Sequence, residues 1–460
     1  MRSFCLALIL CLAGGPAMAA DFRAGAGAVK ITPPQGAPMA GYYNDRAADG
    51  VHDDLFAKAL VFESGGEKAA LVVCDLISMT RTITEKARAL IERETGLRGD
   101  HVMISATHSH TGPVLSNRTS REDAQGGSSS IAVQYAESLP GKIAQAVKLA
   151  IASTQPARIS AGSGREEELS FNRRYLMRDG SVGWNPGKLN PKILEPAGPI
   201  DASVPIVYVQ NATNSKALAT YVNFAMHLDT VGGLEISADY PFTLSTLLGN
   251  VKGADMVTLF SIGTAGDINH VNVNTRDPQK GPEEAARIGT ILAAAVLKTY
   301  PSLKSIEGFP IRVRSEMVRL PLPSVTPADV EKAGALATRY GTKDEPKFLE
   351  KVWAFKVLDV AARQGKPQEV EVQVIALGDR MAFVSLPGEI FVELGLAIKK
   401  ASPFPNTIIV ELANGSIGYI PTKRAFAQGN YEVVSARCAE GSGELLVETA
   451  LRLLQQVRQK

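Results

Sequence analysis

Two histidines stand two positions apart in the segment Ala106-Thr107-His108-Ser109-His110-Thr111-Gly112-Pro113, directly after the apolar run Val102-Met103-Ile104-Ser105. On an extended strand, residues i and i+2 point to the same face, so both imidazoles can address one metal ion or one reacting atom. The glycine and proline behind them turn the chain away and leave the pair at a strand end. A hydrogen-bonded polar pair in a loop is the plain alternative. Three other polar motifs share the setting. They are His227 in Asn223-Phe224-Ala225-Met226-His227-Leu228-Asp229, Glu389 in Val384-Ser385-Leu386-Pro387-Gly388-Glu389, and Tyr419 in Leu412-Ala413-Asn414-Gly415-Ser416-Ile417-Gly418-Tyr419. Each follows an apolar strand, and Glu389 is expected at the N-terminus of a helix. Loops beyond the carboxyl ends of strands converge in α/β sheets, so the four motifs are expected to meet in one cleft.

The elements that must position them follow from periodicity. Short β-branched runs at 57–63, 69–75, 101–107, 205–210, 217–225, 256–262, 370–377 and 407–412 are expected as strands. Between them, apolar residues at helical spacing predict helices over 82–94, 131–153, 282–300 and 389–400, and a last one over 443–458. This alternation defines an α/β class, with mixed β-sheets flanked by helices. The Gly-, Pro- and Asn-rich stretch 178–200 reads as a long surface loop, and 315–364 as a polar helical excursion. No repeat or long linker divides the chain, so residues 20–460 are expected to form one catalytic domain.

Composition narrows the function. A chain of 460 residues with 45% hydrophobic and 21% charged residues is an ordinary globular protein with ample core. A net charge of +2 and the lack of basic runs argue against nucleic acid as a partner. Residues 1–19 read as a secretory signal: Arg2 supplies charge, Cys5 to Leu12 form a short apolar run, and Ala17-Met18-Ala19 offers a cleavage site. Export to a bacterial periplasm or beyond is therefore expected, with no transmembrane segment in the mature chain. Of four cysteines, Cys74 and Cys438 would remain, and two unpaired thiols are favoured over a bridge.

Together the motifs resemble the neutral or alkaline non-lysosomal ceramidases, from about Ala26 to the last helix. The resemblance rests on the His-Ser-His-Thr-Gly-Pro segment, the Asn-Phe-Ala-x-His strand, and Ile236-Ser237-Ala238-Asp239-Tyr240-Pro241. It rests also on Gly266-Asp267-Ile268-Asn269, on Leu386-Pro387-Gly388-Glu389, and on the pair Tyr419 and Tyr431. It implies the family's N-terminal catalytic domain and one zinc ion, bound by His108, His227, Glu389 and Tyr419. It further implies that His110 and Arg173 belong to the active-site cleft and that Tyr431 stabilises an oxyanion. Plainer roles stand beside these. Tyr419 could be a half-buried packing residue, Arg173 a surface ion-pair partner, Asp267 and Asn269 turn residues, and Asp239 the start of a helix. His52 is expected to be structural.

The sequence departs from the family pattern at one position of consequence. Where the family carries a nucleophilic serine after Gly-Asp-Val, this chain has Asn269, followed by His270. A carboxamide does not attack an acyl carbon, so the expected reaction is hydrolysis of a C–N amide bond by zinc-activated water. Asn269 would then orient the water or the substrate, and His110 or His270 would shuttle a proton. The family's C-terminal β-sandwich is expected to be absent, so lipid engagement is expected to differ. The substrate would be a small-molecule or lipid N-acyl compound. Two alternatives remain at this stage: genuine ceramide hydrolysis, and a catalytically inactive member that binds an amide or a carbohydrate.

Overall fold

The computed structural model describes residues 22–116, 119–306 and 310–459, so the expected signal segment lies outside the described residues. Among them a nine-stranded sheet runs in the order Val257–Ile262, Ala217–Phe224, Ser203–Asn211, Gln155–Arg165, Arg23–Lys30, Phe56–Ser64, Glu67–Cys74, Val102–Ala106, with Lys304–Ile306 paired to Gln155–Arg165. The outermost pair at each end is parallel and the rest are antiparallel. A four-stranded sheet follows the order Ile311–Leu320, Gln368–Leu377, Met381–Ser385, Asn406–Val410, its last pair again parallel.

Side-chain alternation along these strands dictates the layers. On one face of the large sheet Val61, Val72, Ile104, Ile206 and Val222 pack on helices Arg81–Thr95, Ser130–Ala152, Tyr240–Lys252 and Pro282–Thr299. On the other face Leu60, Phe62, Leu71, Val73 and Tyr221 meet Ile375, Leu377, Phe383 and Ile408 of the small sheet. The outer face of the small sheet, with Val372, Val374 and Ile409, is covered by helices Val392–Ala401 and Ser442–Arg458. The result is four layers, helix, sheet, sheet, helix. Burying both faces of both sheets is why their strands read as apolar runs rather than as clean alternations.

One contact between the layers fixes the site. The strand Val102–Ala106 is the last in its sheet, yet all five residues are buried. Its free edge is closed by the segment after the last strand of the small sheet. Ser105 bridges Ala413, the Asn414 N–H donates to the Ile104 carbonyl (2.7 Å), and the Asn414 side-chain oxygen accepts from the Ile104 N–H (3.0 Å). An open edge thereby becomes a seam between the sheets.

The α/β reading with mixed sheets holds, and every strand and helix expected from periodicity is present within a few residues. The differences have physical causes. Residues 178–200 are not a plain loop. Val182–Trp184 and Ile193–Pro196 both pair with Arg174–Met177, the first through a tight turn in which Ser181 bonds the Asp179 carboxylate and Gly180 takes φ 83°. The stretch 315–364 begins as strand, and its helices Pro327–Ala337 and Phe348–Ala362 bulge from between two paired strands. Arg23–Lys30 was not legible because glycines depress strand propensity. Here they are required: a Cβ on Gly25 would lie 2.1 Å from the Ala150 carbonyl oxygen of the covering helix. Cys74 and Cys438 are buried, unbridged thiols, as expected. No helix among the described residues is long and apolar enough to cross a membrane.

Candidate metal centre and its cleft

Four strand ends are stitched together by backbone bonds. The His108 N–H donates to the Leu76 carbonyl (2.9 Å) and the His110 N–H to the Leu228 carbonyl (3.0 Å), with a bridge from Ser109 to Leu228. Ser109 Oγ donates to the Ser237 carbonyl at 2.6 Å. The His227 N–H reaches the Ile268 carbonyl at 3.3 Å, and the Gly266 N–H the Ile390 carbonyl at 2.8 Å. Glu389 and Tyr419 are register partners in a two-residue parallel pairing. The helix expected at Glu389 starts at Val392, so Glu389 lies in this bridge rather than at a helix terminus.

The two histidines do not converge by strand alternation. The strand ends at Ala106, and His108 adopts φ 79°, a left-handed conformation that costs a residue bearing a Cβ on the order of 1–3 kcal/mol. That twist brings the rings together, with His110 Nε2 3.2 Å from His108 Nε2. Imidazole nitrogens of His108, His110 and His227 all lie within 4.8 Å of one another, and Glu389 Oε2 is 3.4 Å from Nε2 of both His108 and His227. His110 therefore joins the cluster itself and also faces the cleft.

The protonation pattern decides what this cluster can hold. His108 Nδ1 and His227 Nδ1 each lie 2.8 Å from a carbonyl oxygen, of Ile77 and Ala265 respectively. A carbonyl only accepts, so each Nδ1 carries the proton and each Nε2 presents a lone pair. Burial, then the Arg173 charge and the neighbouring His108, push His227 down to about 4, which keeps it neutral near pH 7. Burial works against the Glu389 carboxylate, but His108 and His227 outweigh it and hold the group well below the usual carboxylate range. His227 Nε2 and Glu389 Oε2 are buried and lack hydrogen-bond partners among the described residues. Lone pairs aimed at a carboxylate oxygen with no donor between them are what a cation would satisfy. The donor set fits a divalent metal.

Tyr419 and Tyr431 stand beside the cluster. The Tyr419 ring lies parallel to His227, centroids 6.5 Å apart, and meets Tyr431 edge-on at 5.3 Å. Burial, then Glu389 and Tyr431, raise the Tyr419 phenol well above its ordinary range. Arg173 is buried rather than on the surface. Its Nε donates to Glu432 Oε1 (2.9 Å) and its Nη2 to the Gly266 carbonyl (2.8 Å), and its guanidinium lies over both tyrosine rings at 5.4 and 5.9 Å. Arg174 takes the other oxygen of the same carboxylate at 2.8 Å.

Asn269 and His270 do not line the cleft. Asn269 is buried, its amide donating to Asn185 Oδ1 (3.1 Å) and its oxygen accepting from the Val271 N–H (3.0 Å). His270 has both nitrogens engaged, Nδ1 with Asp229 Oδ1 at 3.1 Å and Nε2 with the Gln279 carbonyl at 2.6 Å. Burial disfavours its charge, but the Asp229 carboxylate outweighs that and raises its pKa. A doubly bonded imidazolium has no free nitrogen for shuttling. Asp267 braces the same region, accepting from Asn172 Nδ2 and the Val392 N–H, both at 2.8 Å. Asp239 caps the helix Tyr240–Lys252, and His52 pairs with Asp53 at 2.9 Å.

The cluster opens into a cleft of about 770 Å³ lined by Tyr43, His110, Arg121, Glu389, Tyr419 and Tyr431 among others. Its lining residues Tyr43 and Tyr431 belong to a larger aromatic cluster: Trp184 stacks on Phe348 and leans on Tyr431 at 4.5 Å, and Phe348 meets Tyr43 edge-on. Four participants escaped the sequence reading. Asp229 lay within the His227 motif and Glu432 beside Tyr431, so adjacency was their only signal. Arg121 and Asp359 had none.

Fold and cluster together define a class. Residues 22–228 match the N-terminal model of the neutral/alkaline non-lysosomal ceramidases. The whole arrangement resembles the crystal structure of neutral ceramidase from Pseudomonas aeruginosa, at TM-score 0.75 and 19% identity over 96% of this chain and 75% of that one. A ceramidase complexed with C2 matches at TM-score 0.73 and 19% identity, over 96% and 76% of the two chains. At that identity the likeness is one of fold.

Proposed function

We propose that the chain is an exported, zinc-dependent hydrolase that cleaves the C–N amide bond of an N-acyl substrate. The observation that carries this reading is the buried meeting of His108, His227 and Glu389 at 3.4 Å, with His227 Nε2 and Glu389 Oε2 lacking hydrogen-bond partners among the described residues. His110 adjoins the set, and Tyr419, register partner of Glu389, would be the fourth ligand alongside His108, His227 and Glu389. Nitrogen and oxygen donors of this kind suit zinc. When bound, zinc supplies a Lewis acid for the acyl oxygen and brings the pKa of coordinated water near ~7.

The chain's own residues supply the rest. Burial, with Tyr43 and Glu389, raises the Tyr431 phenol above its ordinary range, so it remains a donor. It lines the cleft and is placed to hydrogen-bond the acyl oxygen as the carbon becomes tetrahedral, worth about 3 kcal/mol. Arg173, spread over both tyrosine rings, positions them. Burial, and then the neighbouring His108, hold His110 well below the ordinary histidine pKa, hence neutral. It accepts a proton from the attacking water and delivers it to the amine nitrogen. One C–O bond forms, the C–N bond breaks, and water is divided between acid and amine. Asn269 braces the wall behind the site and needs no part in bond making.

Export rests on the charge, apolar run and small-residue site within residues 1–19. The test is metal analysis of the purified protein, then amine release from a panel of N-acyl amides including ceramide, with and without chelator. One equivalent of zinc with chelator-sensitive turnover supports the reading. Zinc without turnover of any amide replaces it with a binding protein, and chelator-insensitive turnover removes the metal from the reaction.

A further inference from the structure

Two of the arginines that line the cleft leading to the candidate metal centre, Arg121 and Arg437, have different surroundings. Arg437 is neutralised: its Nε and Nη2 lie 2.7 and 2.6 Å from Asp359 Oδ2. The other Asp359 oxygen is occupied too, accepting from the Ser120 N–H (2.8 Å) and Oγ (2.6 Å). Asp359 therefore has nothing left for Arg121, although it anchors the backbone one residue before it. The ion pair Arg121 makes, with Glu122, is loose at 3.9 Å. Its Nε is buried and lacks a partner among the described residues. Its guanidinium lies on the Tyr43 ring at 4.6 Å, and Tyr43 is itself fixed edge-on by Phe348 at 5.4 Å.

Stacking holds the guanidinium plane and leaves its N–H edges for something else. Arg121 lines the same cavity as His110, Glu389 and Tyr431, within electrostatic reach of Glu389. A largely buried guanidinium with an unsatisfied N–H is costly unless an anion completes it. The cleft walls carry charges of both signs, and Arg437 is taken up by Asp359, so what sets Arg121 apart is its unpartnered N–H edge rather than a surplus of charge.

We infer that Arg121 anchors a carboxylate on the substrate, so that the amide cleaved is that of an N-acyl amino acid or a similar acidic N-acyl compound. The inference rests on the amide-hydrolase reading for the bond broken, but not for the group bound. Arg121 is a specificity-determining residue: its planar fork meets both oxygens of a carboxylate, a geometry a neutral amide cannot offer. The anchor lines the same cleft as the cluster without being one of its members, and so would orient the amide.

The test uses the zinc-loaded full chain with N-octanoylglycine and its neutral isostere N-octanoylglycinamide, followed by calorimetric binding and by glycine or glycinamide release. The wild type should prefer the acid roughly 10- to 100-fold, the range expected for a hydrogen-bonded charge. Arg121→Gln should collapse that preference toward unity, and Arg121→Lys should retain part of it, each variant first checked for an unchanged melting temperature and zinc content. Preference in binding without cleavage of either compound upholds Arg121 and overturns the hydrolase reading alone. Cleavage of both at equal efficiency does the reverse. Absence of preference in the wild type, or its survival in Arg121→Gln, overturns the inference.

Discussion

Replacing Glu432 by glutamine removes one negative charge from between two buried guanidiniums. The carboxylate is fully buried, and the side chains of Arg173 and Arg174 are only 4% and 2% exposed. The wild-type triad holds two positive charges and one negative. Glu432→Gln leaves two buried cations facing one amide, whereas Arg174→Met leaves one balanced pair. Breaking a buried pair from one side costs about 3–5 kcal/mol. Glutamine still offers one acceptor oxygen, so about 2–4 kcal/mol is expected for Glu432→Gln. Arg174→Met should cost less, although it also loses a 3.0 Å bond to the Gly429 carbonyl. Urea unfolding of the two single variants and the double variant measures this directly. The double variant should be more stable than the sum of the single losses predicts, by more than about 1 kcal/mol. The same substitution frees Arg173 from one of its two bonds beneath Tyr419 and Tyr431, so activity should fall along with stability. A Glu432→Gln cost below about 1 kcal/mol, or an Arg174→Met cost exceeding it, refutes the charge argument.

Three other outcomes follow from the same geometry. His227→Ala or Glu389→Gln should lower zinc stoichiometry, read by elemental analysis after dialysis against a weak chelator, and should abolish the rise in melting temperature that added zinc gives the wild type. Tyr431→Phe should keep its zinc and lose roughly 10²- to 10³-fold in kcat, the loss expected when one oxyanion donor is removed. Because His270 is raised by its pairing with Asp229, the pair contributes stability that is fully present below the unfolded histidine pKa near ~6.5 and lost as pH rises through the higher folded value. Urea midpoints should therefore decline on the alkaline side of neutrality, and His270→Asn should flatten that decline.

Much of the cluster was legible in the sequence for a reason that has little to do with how its residues converge. His108, His227 and Glu389 were placed together because each follows an apolar strand, and the structure does collect those strand ends. The expected device, alternation on an extended strand, is absent. His108 is turned by φ 79°, and no local pattern announces a left-handed histidine. The fold class was legible because long buried strands and amphipathic helices carry strong periodicity. Arg23–Lys30 was hidden by glycines needed for helix packing, and 178–200 by strands of four residues or fewer. Arg173 and Asn269 show the limit most clearly. Sequence gives their types, but whether an arginine meets solvent or a buried glutamate 259 positions away depends on tertiary contacts alone.

The origin of the proposed ligands in two different sheets explains why so many backbone bonds are spent at their junction. His108 and His227 leave strands of the large sheet, while Glu389 and Tyr419 follow strands of the small one. A relative slip of the sheets by even 1 Å would break a metal geometry that tolerates only a few tenths of an ångström. The seam opposes that slip at several points. Asn414 and Ala413 clamp the edge strand that ends two residues before His108, and Gly266 bonds Ile390 beside Glu389. These approaches leave no room for a side chain: a Cβ on Gly266 would sit 2.5 Å from the Glu389 carbonyl oxygen, and one on Gly388 2.5 Å from that of Gly418. Gly266→Ala should therefore disturb Glu389 without touching any ligand. Its signature would be weakened zinc binding with the imidazole cluster chemically intact, whereas unaltered zinc affinity would mean that the two sheets do not need the seam to hold the site.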